Sequence, residues 1–289
     1  MAETAVSVVV PALDAAATIA TQLDALAAQD ADVGWEVVVV DNGSTDATVE
    51  VCRTYAAVLP SLRVISCTTP GTSAARNAGA AAAFGKLLLF CDADDQVAPG
   101  WLAAMTRALT HTDADAAGGA IENDLLNPGS QPYLPRHPDH LPVVAGFLPR
   151  AITANLAVRR DAFEALGGFA PEYDYGGPDT EFCWRLQLAG FRLAYAPDAV
   201  VHYRHRHELR AVARKAYRTG ISRGRLFRDY ARHGMPRPRL VGVLVRWAGL
   251  AAQAPVALLS PRVRWRWTEQ ASAAAGRVSG SVRFRVLYL

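Results

Sequence analysis

A layered α/β fold, with a mostly parallel central sheet flanked by helices, is what two observations predict. Short apolar runs ("VSVVVPA", "EVVVV", "KLLLFC") recur along the first hundred residues, and segments with apolar residues at helical spacing separate them. Strands that are apolar throughout, rather than alternating with polar residues, belong to sheets buried on both faces. At 289 residues, 51% hydrophobic and 20% charged, the chain is large enough for a substantial core.

The elements follow in order. Val6 to Ala12 is a β-branched run ending near a proline, and Ile19, Leu23 and Leu26 then fall on one helical face. A four-valine strand leads through a polar turn into a helix whose expected cap is Ser44, with Asp46 in its first turn. "LRVISC" and "GTSAARNAGAAAAFG" make a third strand and helix, and "KLLLFC" a fourth strand that runs straight into Asp92, Asp94 and Asp95. Residues 121–149 are proline-rich and aperiodic and predict a long loop with little regular structure. From Ile152 the pattern reads strand, short helix, glycine-rich loop, helix and two strands. Beyond His207 the chain turns arginine-rich and helical. Two domains are therefore expected, 1–207 and 208–289.

Four cysteines, Cys52, Cys67, Cys91 and Cys183, show neither metal-ligand spacing nor a disulfide pattern, and a reducing cytosol suits them. The N-terminus has no basic region before its first strand, which argues against a cleaved signal. A net charge of +3 conceals an asymmetry: residues 1–201 carry 11 Lys/Arg against 24 Asp/Glu, and residues 202–289 carry 19 against 3. The basic part suits phosphates or an anionic membrane surface. No base-reading module accompanies it, so no nucleic-acid partner is expected.

In open α/β sheets ligands bind beyond the carboxyl ends of the strands, which is where the acids collect. Asp14, Asp41, Asp92, Asp94 and Asp95 all follow strands, and a single crevice is expected to gather the five. Crowded carboxylates repel unless a cation joins them. Mg²⁺ or Mn²⁺ meets that need and commonly shares its shell with a substrate's phosphates. Neither a GxGxxG nor a glycine-rich phosphate loop follows the first strand, which speaks against dinucleotide and nucleotidyl-transfer folds.

"VSVVVPALDAAATI", "VVVVDNGSTDAT", "AARNAG", "LLLFCDADD" and "GGPDTEFCWRLQLAG" occur in the order and rough spacing of the family 2 inverting glycosyltransferases of GT-A fold, which the chain resembles from about residue 5 to 207. The resemblance implies a nucleotide-diphosphate sugar donor (UDP-, GDP- or dTDP-linked) and a lipid-linked, polysaccharide or small-molecule acceptor. It also implies a site. Pro11, Ala12 and Asp14 would line the base, and Asp41 would hold base or ribose. Asp92 and Ala93 of the DxD signature would contact the donor, with Asp94 binding the metal and Asp95 undecided. Arg76 and Asn77 either reach the donor or, for Arg76, pair with a nearby acid. Asp179 matches the catalytic base, with Pro178 as the first residue of its helix and Glu181 the competing carboxylate. His202 is either a metal ligand or structural. The run Arg204, His205, Arg206 and His207 either clamps a diphosphate or is a solvated loop. Phe182 and Trp184 belong to the core or to an acceptor platform, and Asn155 faces the sugar or is a structural turn residue. The alternative function is a catalytically silent sugar-nucleotide-binding or scaffold protein of the same fold, which would have no need of Asp179.

Within the basic extension, the apolar part of residues 239–260 is about long enough to span a bilayer, but Arg246, Gln253 and Pro255 interrupt it. A central arginine costs roughly 2.5–3.5 kcal/mol on insertion. Together with Arg262, Arg264, Trp265, Arg266 and Trp267 this predicts an interfacial segment on anionic lipid rather than a simple span. The other reading is a packed helical subdomain. The expected location is cytoplasmic, peripheral on the inner face of the cell membrane.

Overall fold

The structure, a computed structural model, describes residues 4–59, 61–128, 140–174, 176–206 and 208–289, leaving outside it His207 and residues 129–139 of the expected loop. Contacts divide the chain into two compact units. The sheet unit comprises residues 1–142, 149–174 and 178–205, and the helical unit residues 143–148, 175–177 and 206–289.

The sheet unit begins β1 (Val6–Ala12), α1 (Ile19–Ala27), β2 (Trp35–Asp41), α2 (Thr48–Thr54), β3 (Leu62–Ser66), α3 (Thr72–Ala82) and β4 (Leu87–Phe90). It continues through β5 (Gln96–Val97), α4 (Trp101–Thr110) and β6 (Ala116–Glu122). Two short strands that pair with each other, β7 (Val143–Val144) and β8 (Leu148–Pro149), come next in the chain and fall in the helical unit as far as Leu148. Then come β9 (Leu156–Arg159), α5 (Arg160–Ala165), α6 (Pro178–Leu188) and β10 (Leu193–His202). The eight-stranded sheet has the order β3-β2-β1-β4-β9-β6-β10-β5. Strands β3, β2, β1 and β4 are mutually parallel; β9 is antiparallel to both β4 and β6, and β10 is parallel to β6. Two reversals cancel, so β1, β2, β4, β6 and β10 all end at the same edge of the sheet.

Why the strands are apolar on both faces is visible in their alternation. Val8, Val10, Val37, Val39 and Leu89 pack on one side with Ile19, Leu23, Trp101 and Met105. Val9, Val38, Val40, Leu88 and Phe90 pack on the other with Ala75, Phe163, Phe169 and Phe182. The phenyl rings of Phe163, Phe169 and Phe182 lie 4.8–5.6 Å apart by centroid, tilted or edge-on.

Three expectations change. Ser44 does not cap α2: Asp46 accepts the Thr48 N–H, and the Ser44 hydroxyl turns to the first loop. The two strands expected before His202 are one, β10, whose register shifts between Ala196 and Val200 around Pro197. The aperiodic stretch is not wholly loop, since β6 continues through Glu122. The strand "AAGGAIE" carries glycine at 118 and 119 because its neighbours leave no room there: a Cβ on Gly119 would sit 2.1 Å from the Ala199 carbonyl oxygen, and one on Gly118 2.3 Å from the Ala151 Cβ.

The helical unit contains α7 (Leu209–Tyr230), α8 (Leu240–Leu259) and α9 (Pro261–Phe284). Helix α8 is long and apolar enough to cross a membrane by length and composition. Its buried residues, Val243, Leu250 and Ala257, repeat at heptad spacing, and α9 holds that stripe: Trp267 Nε1 donates to the Leu250 carbonyl at 2.8 Å. Leu240, Val241, Leu244, Val245, Leu258 and Leu259 stay exposed.

Candidate active site

Each parallel strand delivers its following residues to the common edge, and the sequence after the strand decides what is presented there. After β4 the chain turns sharply through Asp92, Ala93, Asp94 and Asp95. One carboxylate oxygen from each of the three acids lies within 4.8 Å of the others, a set of hard oxygen donors suited to Mg²⁺ or Mn²⁺. Neighbours hold this turn from both sides. Arg76, on α3 and 4% exposed, donates from Nη2 to Asp92 Oδ1 at 2.5 Å. The Arg204 backbone N–H donates to Asp95 Oδ1 at 2.8 Å, and Arg204 Nε to the Asp94 carbonyl at 2.8 Å. Asp95 is fully buried and Asp94 is exposed, so Asp94 is the more accessible of the two to a ligand.

Asp14 and Asp41 form a second network rather than joining that cluster. Asp41 Oδ1 accepts the Ser44 N–H, Ser44 Oγ accepts the Asp14 N–H, and Asp14 Oδ1 accepts from the Thr45 N–H and hydroxyl. Asp14 adopts φ 48°, a left-handed conformation that Asp tolerates better than most residues. Pro11 and Ala12 pair in register with Val40 and Asp41, which ties the two loops together. Of the five acids, three cluster at the turn, while Asp14 and Asp41 join the loops that follow β1 and β2.

His202 ends β10 opposite Gln96, the residue after Asp95. Its Nδ1 lies 2.7 Å from Glu122 Oε2, at the end of β6. Burial would raise the Glu122 carboxyl, but the His202 hydrogen bond and the Asp124 and Leu125 N–H groups outweigh it and hold the group below its ordinary value. The sequence offered no sign of Glu122's part, because a single acid in an aperiodic stretch has no pattern to betray its cross-strand partner.

Pro178 opens α6 and leaves Asp179 in the first turn, as its sequence suggests. Asp179 Oδ1 accepts the Thr180 N–H at 2.7 Å, and Oδ2 pairs with Arg150 Nη1. Arg150 is the second residue the sequence reading missed. Glu181 is 4% exposed and bound by both Nε and Nη2 of Arg185, at 2.7 and 3.0 Å, while Arg185 also donates to the Leu166 and Gly168 carbonyls. That carboxylate is committed to the core.

Other candidates are held by contacts within the fold. Asn155, fully buried, accepts the Trp101 indole N–H and donates to the Ala120 and Ala199 carbonyls. Asn77 bonds the Phe169 backbone in both directions, and Phe182 and Trp184 are fully buried in the core. His205 bonds Asn123 and Asn127.

The family model described as glycosyl transferase family 2 matches residues 7–167. The chain belongs to glycosyl transferase family 2. Glycosyltransferase AglE of Haloferax volcanii is 31% identical over 199 residues, covering 68% of this chain, and the chain spans 65% of that relative's length. The succinoglycan biosynthesis protein ExoM of Rhizobium meliloti is 29% identical over 254 residues, 84% of this chain and 82% of its own. Among solved structures, the mannosyltransferase PcManGT of Pyrobaculum calidifontis, in complex with GDP-Man and Mn²⁺, superposes with TM-score 0.67 at 24% identity, over 95% of this chain and 86% of that one. S. aureus TarS 1–349 in complex with UDP-GlcNAc gives TM-score 0.57 at 19% identity, over 99% and 93%. At these identities the structures establish the fold, which is the GT-A glycosyltransferase fold. In this family 2 chain the turn at residues 92–95 carries a DxD-like acidic cluster.

Proposed function

We propose that the protein is an inverting glycosyltransferase that moves a sugar from a nucleotide-diphosphate donor to an acceptor hydroxyl. The observation that carries the reading is the Asp92–Asp94–Asp95 turn, pinned by Arg76 and Arg204 at the carboxyl edge of the sheet. The three acids would hold Mg²⁺ or Mn²⁺, whose positive charge would stabilise a departing diphosphate. Structures of the fold that hold GDP-Man with Mn²⁺, or UDP-GlcNAc, support a nucleotide-sugar donor. Asp94 would be the principal metal ligand. His202 would join it through Nε2, since Nδ1 faces Glu122, an arrangement in which a carboxylate orients a ligating imidazole. Asp92 and Ala93 would meet the donor sugar or ribose, with Arg76 holding Asp92 in place. Pro11, Ala12, Asp14 and Asp41 would line the nucleoside.

Asp179 would act as general base. It accepts the acceptor's hydroxyl proton as that oxygen forms the new bond to the anomeric carbon. The bond to the diphosphate breaks on the opposite face, its electron pair leaves with the nucleotide, and the anomeric configuration inverts. Arg150 then has two tasks: it holds Asp179 before the acceptor arrives and must yield one carboxylate oxygen to it. The commitment of Glu181 to Arg185 favours Asp179 for this role. An acidic membrane surface is a proposed further partner of the helical unit, and the inner face of the cell membrane the proposed location.

Asp179→Asn keeps the shape and loses the base. Turnover should fall by about 10²–10⁴ while Mn²⁺-dependent binding of a nucleotide sugar, read by calorimetry, stays within about twofold. Full turnover in Asp179→Asn would reject the base assignment and leave the donor site standing.

A further inference from the structure

A general base has to be free to take a proton, yet Asp179 stands in the fold as half of an ion pair. Its Oδ1 accepts the Thr180 N–H at 2.7 Å, and its Oδ2 accepts from Arg150 Nη1. An oxygen engaged by a guanidinium must give up that charge-assisted bond before it serves a hydroxyl. The Asp179 and Arg150 side chains are 19% and 24% exposed, so a ligand can reach both.

The backbone at Arg150 is fixed and its side chain is not. The Arg150 N–H donates to the Pro142 carbonyl at 3.1 Å, and the Ala151 N–H donates to Cys183 Sγ at 3.4 Å, one turn along α6 from Asp179. Among the described residues Asp179 is the sole acceptor of the Arg150 side chain, and Arg150 Nε is buried without a hydrogen-bond partner. The second ion pair of α6 is built differently. Arg185 spends Nε and Nη2 on Glu181 and further bonds on the Leu166 and Gly168 carbonyls, so nothing is gained by moving it. A buried donor left unused, as at Arg150, favours a rearrangement that supplies it with an acceptor. The guanidinium edge that carries Nε and one Nη matches two oxygens of a single phosphate or carboxylate.

We infer that Arg150 is a latch on the base, released by an acceptor that carries an oxyanion, phosphate or carboxylate, beside its reacting hydroxyl. The inference rests on the transferase reading and names the acceptor class for it. The oxyanion takes the Nε edge, Arg150 turns from Asp179, and Oδ2 is freed as the hydroxyl arrives. Before that, the latch denies the base to water, the competing nucleophile. In the hydrolysis so prevented, the water oxygen would bond to the anomeric carbon and its proton would pass to Asp179. The nucleotide diphosphate would leave with the electron pair of the broken bond. Arg150 is thus a positioning residue that acts through Asp179.

Two measurements on the full chain test the latch. With ¹⁵N-labelled arginine and Mg²⁺, the Arg150 Nε–H resonance is identified by its loss in Arg150→Lys, and glycerol phosphate, glucuronate and uncharged glycerol are titrated in turn. At least one oxyanion should move that resonance to saturation while glycerol leaves it in place; the one that acts tells phosphate from carboxylate, and both together show a site open to either. In the second, UDP-GlcNAc and GDP-mannose are incubated with Mn²⁺ and no acceptor, and nucleotide diphosphate release is followed. Arg150→Gln should hydrolyse donor about 10- to 100-fold faster than wild type, and Arg150→Lys, which keeps the charge without the fork, should restore part of the restraint. Adding Asp179→Asn to Arg150→Gln should cancel the gain. The inference falls if neither oxyanion moves the resonance, if Arg150→Gln is no faster, or if the gain survives without Asp179. Should Arg150→Gln lose native circular dichroism, the wild-type resonance and the stimulation of wild-type hydrolysis by the active oxyanion carry the comparison. Mn²⁺-dependent donor binding by wild type is measured alongside. Donor bound without faster hydrolysis in Arg150→Gln rejects the latch alone, whereas no donor bound rejects the transferase reading beneath it.

Discussion

Single residues set the acid limit of the sheet unit. Glu36, 1% exposed, accepts from the Ser7 hydroxyl and the Phe84 N–H at 2.6 Å each, and from Arg63 Nη2 at 2.6 Å. Burial would raise its carboxyl; the Ser7, Phe84 and Arg63 contacts outweigh burial and hold it below the ordinary 4.5, and Glu122 is lowered in the same way. A carboxyl depressed by folding binds fewer protons in the folded state. Its stabilisation is therefore present above the unfolded value and is lost as pH falls through the folded one. Urea midpoints should hold from neutral pH to about 5 and drop steeply below about 4.5. Glu36→Gln should flatten that drop at a loss of about 3 kcal/mol at pH 7, because Arg63 loses its partner. A midpoint independent of pH between 5 and 3 would contradict this role. Sequence patterning exposed neither glutamate, since the side chains that pair with each lie at least 27 residues away in the chain.

At the scale of elements, the helical unit depends on close backbone contact between α7 and α9. Gly220 faces Gly276 and Gly224 faces Gly280, so both helices carry glycines four apart along the line of contact. A Cβ on Gly276 would stand 2.1 Å from the Tyr217 carbonyl oxygen, and one on Gly220 2.3 Å from that of Ala273. Overpacking of this kind forces backbones apart. Gly276→Ala should destabilise the helical unit by about 1–3 kcal/mol in denaturant titrations followed by circular dichroism. Gly249→Ala on α8, where a Cβ meets nothing within 4 Å, should instead stabilise by about 0.5–1 kcal/mol through helix propensity. Equal effects at the two positions would refute the close-packing account. The helices themselves are legible from composition; the role of these glycines is not, because a glycine within a helix reads the same whether another backbone crosses it or not.

For the whole molecule the governing feature is charge. The acids collect in residues 1–201 and the bases in 202–289, and within the basic region α8 leaves Leu240, Val241, Leu244, Val245, Leu258 and Leu259 exposed. Exposed apolar side chains beside many arginines fit an interface that combines insertion with attraction to anionic headgroups. Raising salt from 0.1 to 1 M shortens the screening length from about 10 to about 3 Å and removes mainly the second contribution. Vesicle flotation should accordingly weaken with salt yet retain a bound fraction, and Leu244→Asp/Val245→Asp should abolish that fraction. Complete release of wild type by salt would leave only the electrostatic part.

The sequence by itself determined the parallel half of the sheet, its two buried faces, the acidic turn after β4 and the position of Asp179 at the start of α6. Those properties are local: apolar runs, helical spacing and a proline that opens a helix are written in neighbouring residues. Tertiary structure alone decided that Glu181 is held by Arg185, that Asn155 is a buried hub, that Arg150 meets Asp179, that Glu122 meets His202 and that three helices bring Arg223, Arg246 and Arg277 to one cavity. Apart from the Glu181 pair, these relations join residues from 23 to 80 positions apart, and the Glu181–Arg185 pair, only four apart, is distinguished by a burial that the linear sequence does not display. Chain direction and strand order, which no single segment carries, bring such residues to the same edge.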